Sequence, residues 1–266
     1  MIELQRDQLH IASTLYRDYP YLHGYAASAL SGEMGTVAVD NLECPVVGHI
    51  TLAWANILAG DATAPVARAL LDEILPNTIL IPENSRWVDA FYGKWGHRLE
   101  KWRRVTCKRG SWSAEKFGDF ERQLPTSAAI KQVSCPEEVR GLIQMGDGLV
   151  DFRNYPTPED FLRRGVGFIV EHNGEIVSGC TSYAVGGGKF DISVTTRREH
   201  QRRGMAQAVA ARMISYCLQE GIEPCWDAPS EAGGNLGKKL GYTHAESYTA
   251  YRVLKVREHW NSTSWM

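Results

Sequence analysis

Long apolar runs are missing from the 266-residue chain; nothing approaches the roughly eighteen residues of a membrane span, so no membrane partner is expected. Charge of one sign is also not in excess. Lys and Arg number 29 against 31 Asp and Glu, which lacks the global positive balance of a dedicated nucleic-acid binder. The six cysteines (Cys44, Cys107, Cys135, Cys180, Cys217, Cys225) include no C-x-x-C pair and no paired histidine spacing. Neither a metal site nor a disulfide framework is therefore expected. The opening MIELQRDQLH has no apolar core segment, so no secretory leader is expected and a reducing, cytoplasmic location fits best.

What is present is enough chain for two domains of ordinary size. The polar segment KFGDFERQLPTSAAI precedes a fresh strand-like run, which places a boundary near Pro125 and divides the chain into 1–125 and 126–266. Beyond it, Ser134 with Glu137 has capping-box spacing, and Thr157-Pro158 opens a second helix that stops at Gly165. GFIVEH and EIVSGCTSYAV flank Asn173-Gly174, which reads as a hairpin. In KFDISVTT, Phe190, Ile192 and Val194 alternate with Asp191, Ser193 and Thr195, so one face is expected in a core and the other free to line a site. A helix follows with Met205, Val209, Met213 and Cys217 on one face and ends at Gly221. In IEPCWDA, Pro224 donates no ladder bond and predicts a strand at an edge or splayed from its neighbour. A short helix to Leu240 and a last strand complete a mixed α/β sheet.

TTRREHQRRGMAQAVAARM, residues 195–213, joins the two-faced strand to the small-faced helix. It reads as a local basic patch, as a solvated helix start, or as a cradle for phosphate. Basic residues at a helix N-terminus oppose its dipole, whereas a bound anion is favoured there by free N–H groups. Gly204 lets the backbone approach closely, and Arg202 and Arg203 add charge.

Gln201-Arg202-Arg203-Gly204-Met205-Ala206 resembles the Q/R-x-x-G-x-G/A signature of the GNAT (Gcn5-related) N-acetyltransferases, between the strand and helix where that family carries it. EDFLRRGVGFIVEHNGEIVSGCTSYAV, WDA at 226–228, KKLGY and YTAYRV resemble the branch that includes zwittermicin-type resistance acetyltransferases, over about residues 128–256. The resemblance implies a sheet splayed between its fourth and fifth strands, with acetyl-CoA in the opening as acyl donor. It implies backbone contacts from Ile192, Val194 and Thr196, and phosphate contacts from Gln201, Arg202, Arg203, Gly204, Met205 and Ala206. It further implies direct attack by the amine of a small-molecule acceptor.

Such a reaction needs a base for the ammonium and a donor for the departing sulfur. Asp191 is the candidate base; Ser193 stands where the branch usually carries a second acid, and His200 is a weaker candidate. Asp227 reads as a strand-end structural residue. Two positions depart from the family. Gly237 replaces the tyrosine that many members carry, and Ser230 replaces an asparagine that contacts the cofactor, although Ser230 is still expected to cap a helix and touch the cofactor. Asn235 and Tyr242 are the remaining donors nearby. Gly233, Gly234 and Gly237 lie where a helix prefers alanine, at about 1 kcal/mol each. This altered half-site keeps open an alternative, a non-catalytic CoA-binding or regulatory module.

In the first half, FYGKWGHRLEKWRRV aligns with LGKKLGYTHAESYTAYRV, after a helix-like APVARALLDEIL and a strand-like NTILI. The echo is either chance or a degenerate copy of the same fold, as in glycine N-acyltransferase-like tandems. The loop LAGDATA there is acidic, so this copy is expected not to bind CoA but to cover the acceptor site or form a homodimer contact. Trp87, Trp95 and Trp102 read as its core. Arg98, Lys101, Arg103, Arg104, Lys108 and Arg109 alternate with apolar residues as a solvated strand face does, and no nucleic-acid partner is expected.

Overall fold

The computed structural model describes residues 1–21, 23–146 and 148–255. The first half runs β1 (Ile2–Glu3), α1 (Ser13–Tyr16), α2 (His23–Leu30), β2 (Thr36–Val39), β3 (Val47–Leu52), β4 (Ala55–Gly60), α3 (Pro65–Glu73), β5 (Ile79–Pro82), α4 (Ser85–Trp95), β6 (Leu99–Lys108) and α5 (Ala114–Arg122). The second runs β7 (Ala128–Gln132), α6 (Pro136–Gln144), α7 (Pro158–Arg164), β8 (Gly167–His172), β9 (Glu175–Gly186), β10 (Lys189–Thr196), α8 (Met205–Gln219), β11 (Glu223–Ala228), α9 (Glu231–Leu240) and β12 (Thr243–Val253).

Among the described residues all twelve strands join one mixed sheet, in the order β1-β2-β3-β4-β5-β12-β6-β11-β10-β9-β8-β7. Its centre is reciprocal. β6 of the first half lies against β11, while β12 of the second lies against β5. The two also pair with each other from Leu99 to Lys108. Each half has one parallel pair, β4 with β5 and β10 with β11, connected through α3 and α8. The chain passes Pro125 between α5 and β7, and the sheet runs unbroken through both sides of it.

The local signals act as their chemistry dictates. Thr157 caps α7, its Oγ1 accepting from the Asp160 N–H, with Pro158 in the first turn. Asn173 and Gly174 both take positive φ, 53° and 82°, which closes the β8–β9 hairpin tightly. The start of α6 is shifted: Cys135 is its cap position, and Glu138 rather than Glu137 reaches back, accepting from the Ser134 N–H at 2.7 Å. One sheet face packs under α8 and α9, where Met205, Val209, Ala210, Met213 and Cys217 meet Ile192 and Trp226. The opposite face packs under α2, α6 and α7.

The glycines of α9 follow from this packing. A Cβ on Gly233 would lie 2.7 Å from the Ala228 Cβ, and one on Gly234 2.8 Å from Val105 Cγ1. One on Gly237 would lie 2.9 Å from Trp226 Nε1 and 3.3 Å from Cys107 Sγ. The helix gives up propensity to lie directly on β11 and β6. Gly237→Ala is therefore expected to destabilise the fold by about 1–3 kcal/mol through overpacking, despite a propensity gain of about 1 kcal/mol. Gly93→Ala in α4, where a Cβ meets nothing within 4 Å, is expected to stabilise it by roughly 0.5–1 kcal/mol. Urea unfolding of both variants checks the pair of signs.

Candidate active site

The parallel ladder between β10 and β11 is short. It holds for Lys189, Phe190 and Asp191 against Glu223, Pro224 and Cys225 and then stops. From Trp226 to Ala228, β11 pairs instead with β6, while β10 stays on β9 as far as Thr196. The strands therefore diverge, and beyond Asp191 the β10 edge toward β11 has no strand on it. The splay inferred from Pro224 is present, and β11 is a central strand. Pro224 uses its carbonyl to accept the Tyr242 hydroxyl at 3.0 Å.

The opening points toward the start of α8. Past Thr196, Arg197 anchors the loop by donating from Nε to the Ile176 carbonyl at 2.7 Å. Gln201 Nε2 donates to the Thr196 carbonyl at 3.2 Å. Arg202 and Gly204 take left-handed φ values of 60° and 80° on either side of Arg203. Gly204 is the cap residue of α8, which has no side-chain cap, so its first N–H groups are free for an anion. Arg202 and Arg203 are exposed and Met205 is buried, so Met205 offers only its backbone. Ser230 caps α9 by accepting from the Gly233 N–H at 3.2 Å. An unpaired strand edge leading to an uncapped, basic helix start fits an extended ligand with an anionic end.

A buried charge cluster lies at the inner end of the divergence. Asp227 accepts from Arg104 Nε at 2.6 Å and from the Tyr248 hydroxyl at 2.9 Å. The guanidinium also lies 5.5 and 5.3 Å from the ring centroids of Trp54 and Trp102. Asp191 is 4% exposed, its Oδ2 has no hydrogen-bond partner, and Gly24 of α2 presses on it. A Cβ on Gly24 would lie 2.9 Å from both the Cβ and Oδ2 of Asp191. Burial, and then the Asp227 charge, pushes the Asp191 carboxyl well above the usual carboxylate range against the pull of Arg104. Burial also raises Asp227, which Arg104 and Tyr248 hold back. Asp227 takes the guanidinium, and Asp191 has no hydrogen-bonded cation.

The comparisons agree with this geometry. A family model described as GNAT acetyltransferase matches residues 23–251. This chain belongs to the GNAT acetyltransferase family. It is similar to an uncharacterised N-acetyltransferase, YdfB, of Bacillus subtilis, 36% identical over 131 residues. That match takes in 48% of this chain and 49% of the relative, so the alignment spans about half of each. Among solved structures it resembles a GCN5-related N-acetyltransferase-like protein of Streptococcus suis, with a TM-score of 0.80 and 28% identity over 92% of this chain and 98% of that one. A GCN5-related N-acetyltransferase of Kribbella flavida shares the fold, with a TM-score of 0.57 at 13% identity over 89% and 97% of the two chains.

In this GNAT chain several sequence candidates come together and others do not. Asp191 and Ser193 lie on β10, with the Gly148 loop near Ser193. Gln201 to Ala206 form the turn into α8. His200 instead packs its ring against His172, with centroids 5.3 Å apart. Tyr242 is committed to Pro224, and Asn235 is exposed on α9. Asp227 is structural, as its position suggested, but its partner Arg104 comes from the segment read as a solvated face. Trp87 and Trp95 are core, while Trp102 is half-buried beside Arg104. Gly24, Tyr25 and Trp54 were not legible as site neighbours, since nothing in their local pattern marks which strand they cover. Among the described residues no group of three His, Cys, Asp or Glu is placed to hold a metal, and no helix is long and apolar enough to cross a membrane.

A carboxyl raised in the folded state binds more protons there than when unfolded. Its contribution to stability is complete below the unfolded value near 4 and is lost as pH rises through the folded value. Asp191→Asn is therefore expected to match the parent protein in stability near pH 4 and to gain on it progressively toward pH 8. Urea midpoints measured across that range check the sign.

Proposed function

We propose that the protein is an acetyl-CoA-dependent N-acetyltransferase acting on the amine of a small molecule. The observation that carries this reading is the end of the β10–β11 ladder at Asp191 and Cys225, with the uncapped start of α8 beyond it. The β10 backbone at Ile192, Val194 and Thr196 would line the pantetheine arm. Gln201, Arg202, Arg203, Gly204, Met205 and Ala206 would seat the pyrophosphate, and Ser230 would flank it from α9. When bound, acetyl-CoA supplies an acyl thioester open to direct attack by the amine. Asp191, once ionised, would take the ammonium proton, its raised affinity for protons making it a stronger base than a solvated carboxylate. Ser193, one residue beyond the buried Ile192, would orient the acceptor.

α9 offers no acid for the departing sulfur, because the space a side chain on Gly237 would need is filled by Trp226 and Cys107. That feature favours the second reading, a CoA-binding module without turnover. The first half is read as a degenerate copy of the second. In support, β3-β4-α3-β5-α4-β6 repeats the order of β9-β10-α8-β11-α9-β12. Its β4–β5 ladder stays closed from Ala55–Ile79 to Leu58–Pro82, with the Gly60 N–H donating to Glu83 Oε2 at 2.7 Å. A closed ladder leaves no room for CoA. The six free thiols fit a reducing cytoplasm, and the second half carries the branch resemblance to zwittermicin-type enzymes.

The test is thiol release from acetyl-CoA against a panel of primary amines, alongside calorimetry of acetyl-CoA binding. Turnover with an amine supports the enzyme; tight binding with no turnover for any amine supports the module. Arg203→Glu is expected to weaken acetyl-CoA binding tenfold or more, about 1.4 kcal/mol, while the chain stays folded. An unchanged Kd would remove the phosphate assignment.

A further inference from the structure

Gly24 encloses the Oδ2 side of the Asp191 carboxyl, but the side chain also borders an opening. A cavity of about 300 Å3 opens beside it, walled by β10, β11 and β6 and roofed by α2. Asp191 and Asp227 lie at its buried end, and Lys189, Glu223, Lys108 and His23 at its rim. Its volume has room for about ten waters at roughly 30 Å3 each. The cavity lies toward the start of β10, on the side away from the α8 turn, so it is not a continuation of the phosphate seat.

The rim is largely committed. Lys189 pairs with Glu223 at 2.8 Å and Lys108 with Glu246 at 3.1 Å. Arg109 stacks over Trp112. Among the described residues the His23 ring makes no hydrogen bond and no ion pair.

We propose that this shaft is the route by which Asp191 exchanges protons with solvent, with His23 of the first half as the terminal acceptor at its mouth. The inference rests on the assignment of Asp191 as base. To act, Asp191 must first shed a proton outward, then take one from the ammonium. The outward step passes one proton through the water to a free ring nitrogen of His23 and from there to buffer, and the proton taken from the ammonium then restores Asp191. Asp191 and His23 then regain their starting states, and nothing is oxidised. The groups that face His23 suit the role. Partial burial and Lys189, with a smaller effect of Lys108, lower its pKa against the pull of Glu223, so the ring is neutral and able to accept at pH 7. Asp191 is faced by Asp227, Arg104, Tyr25 and Cys225.

The test is temperature-jump infrared spectroscopy of the Asp191 carboxyl, whose band is identified by its loss in Asp191→Asn. In weak buffer its protonation is expected to relax at least fivefold more slowly in His23→Gln than in the parent chain, and added imidazole is expected to restore the rate. Relaxation that is unchanged in His23→Gln, or slowed but insensitive to imidazole, overturns the outlet and leaves the base assignment standing. Undiminished acetyl transfer by Asp191→Asn removes the base assignment, and with it the outlet's purpose.

Discussion

The buried ion pair between Arg104 and Asp227 is the constraint on which the site depends. Both side chains are almost fully enclosed, at 5% and 3% exposure, and they join β6 of the first half to β11 of the second. A buried pair of this kind is weak evidence of net stability, because desolvation consumes much of the attraction. Its effect is on arrangement. Arg104 is stacked beside Trp54 and Trp102 and bonded to Asp227, and Tyr248 takes the remaining carboxylate oxygen. The neighbouring acid, Asp191, is left in the same low-dielectric region without a cation, and neutrality is its least costly state. What the first half of the chain withholds from Asp191 is thus a cation, since Arg104 is spent on Asp227.

The two halves also show how small a change separates an open site from a closed sheet. Each carries a parallel pair bridged by a helix. In the second, the ladder breaks after three residue pairs and β11 transfers to β6. In the first, the ladder runs the length of β5, and Glu83 ties off the end by accepting from Gly60. Trp87 then donates to the Gly60 carbonyl. The acidic loop that follows bends on itself, with Asp61 accepting from the Thr63 backbone and hydroxyl. The same topology thus presents a helix start to solvent in one half and a sealed seam in the other. The exchange of β6 and β12 at the centre makes the halves one sheet, so first-half residues reach second-half chemistry.

Local signals were legible in the sequence because they act over a few residues. Thr157-Pro158, Asn173-Gly174, the Gly204 turn and the Gly221 stop each satisfy or release backbone groups in their own vicinity. Pro224 announced the splay by the same logic. Long-range pairings were not legible. Arg104 alternates with apolar residues as an exposed strand residue would, and only the β6–β11 register places it on Asp227. The glycines of α9 read as a propensity fault until Trp226, Val105 and Ala228 are known to lie beneath them. Gly24, between a histidine and a tyrosine, gives no hint that it covers a carboxylate more than 160 positions away in the chain.

The measurement that bears most directly on this account is the titration of the Asp191 carboxyl itself, followed by carbon NMR of the aspartate side chains with Asp191→Asn supplying the assignment. The account predicts a carboxyl that gives up its proton well above the range of a solvated carboxylate, with Asp227 in the same spectra responding to loss of Arg104. An Asp191 titrating near 4, as a solvated carboxylate does, would contradict it.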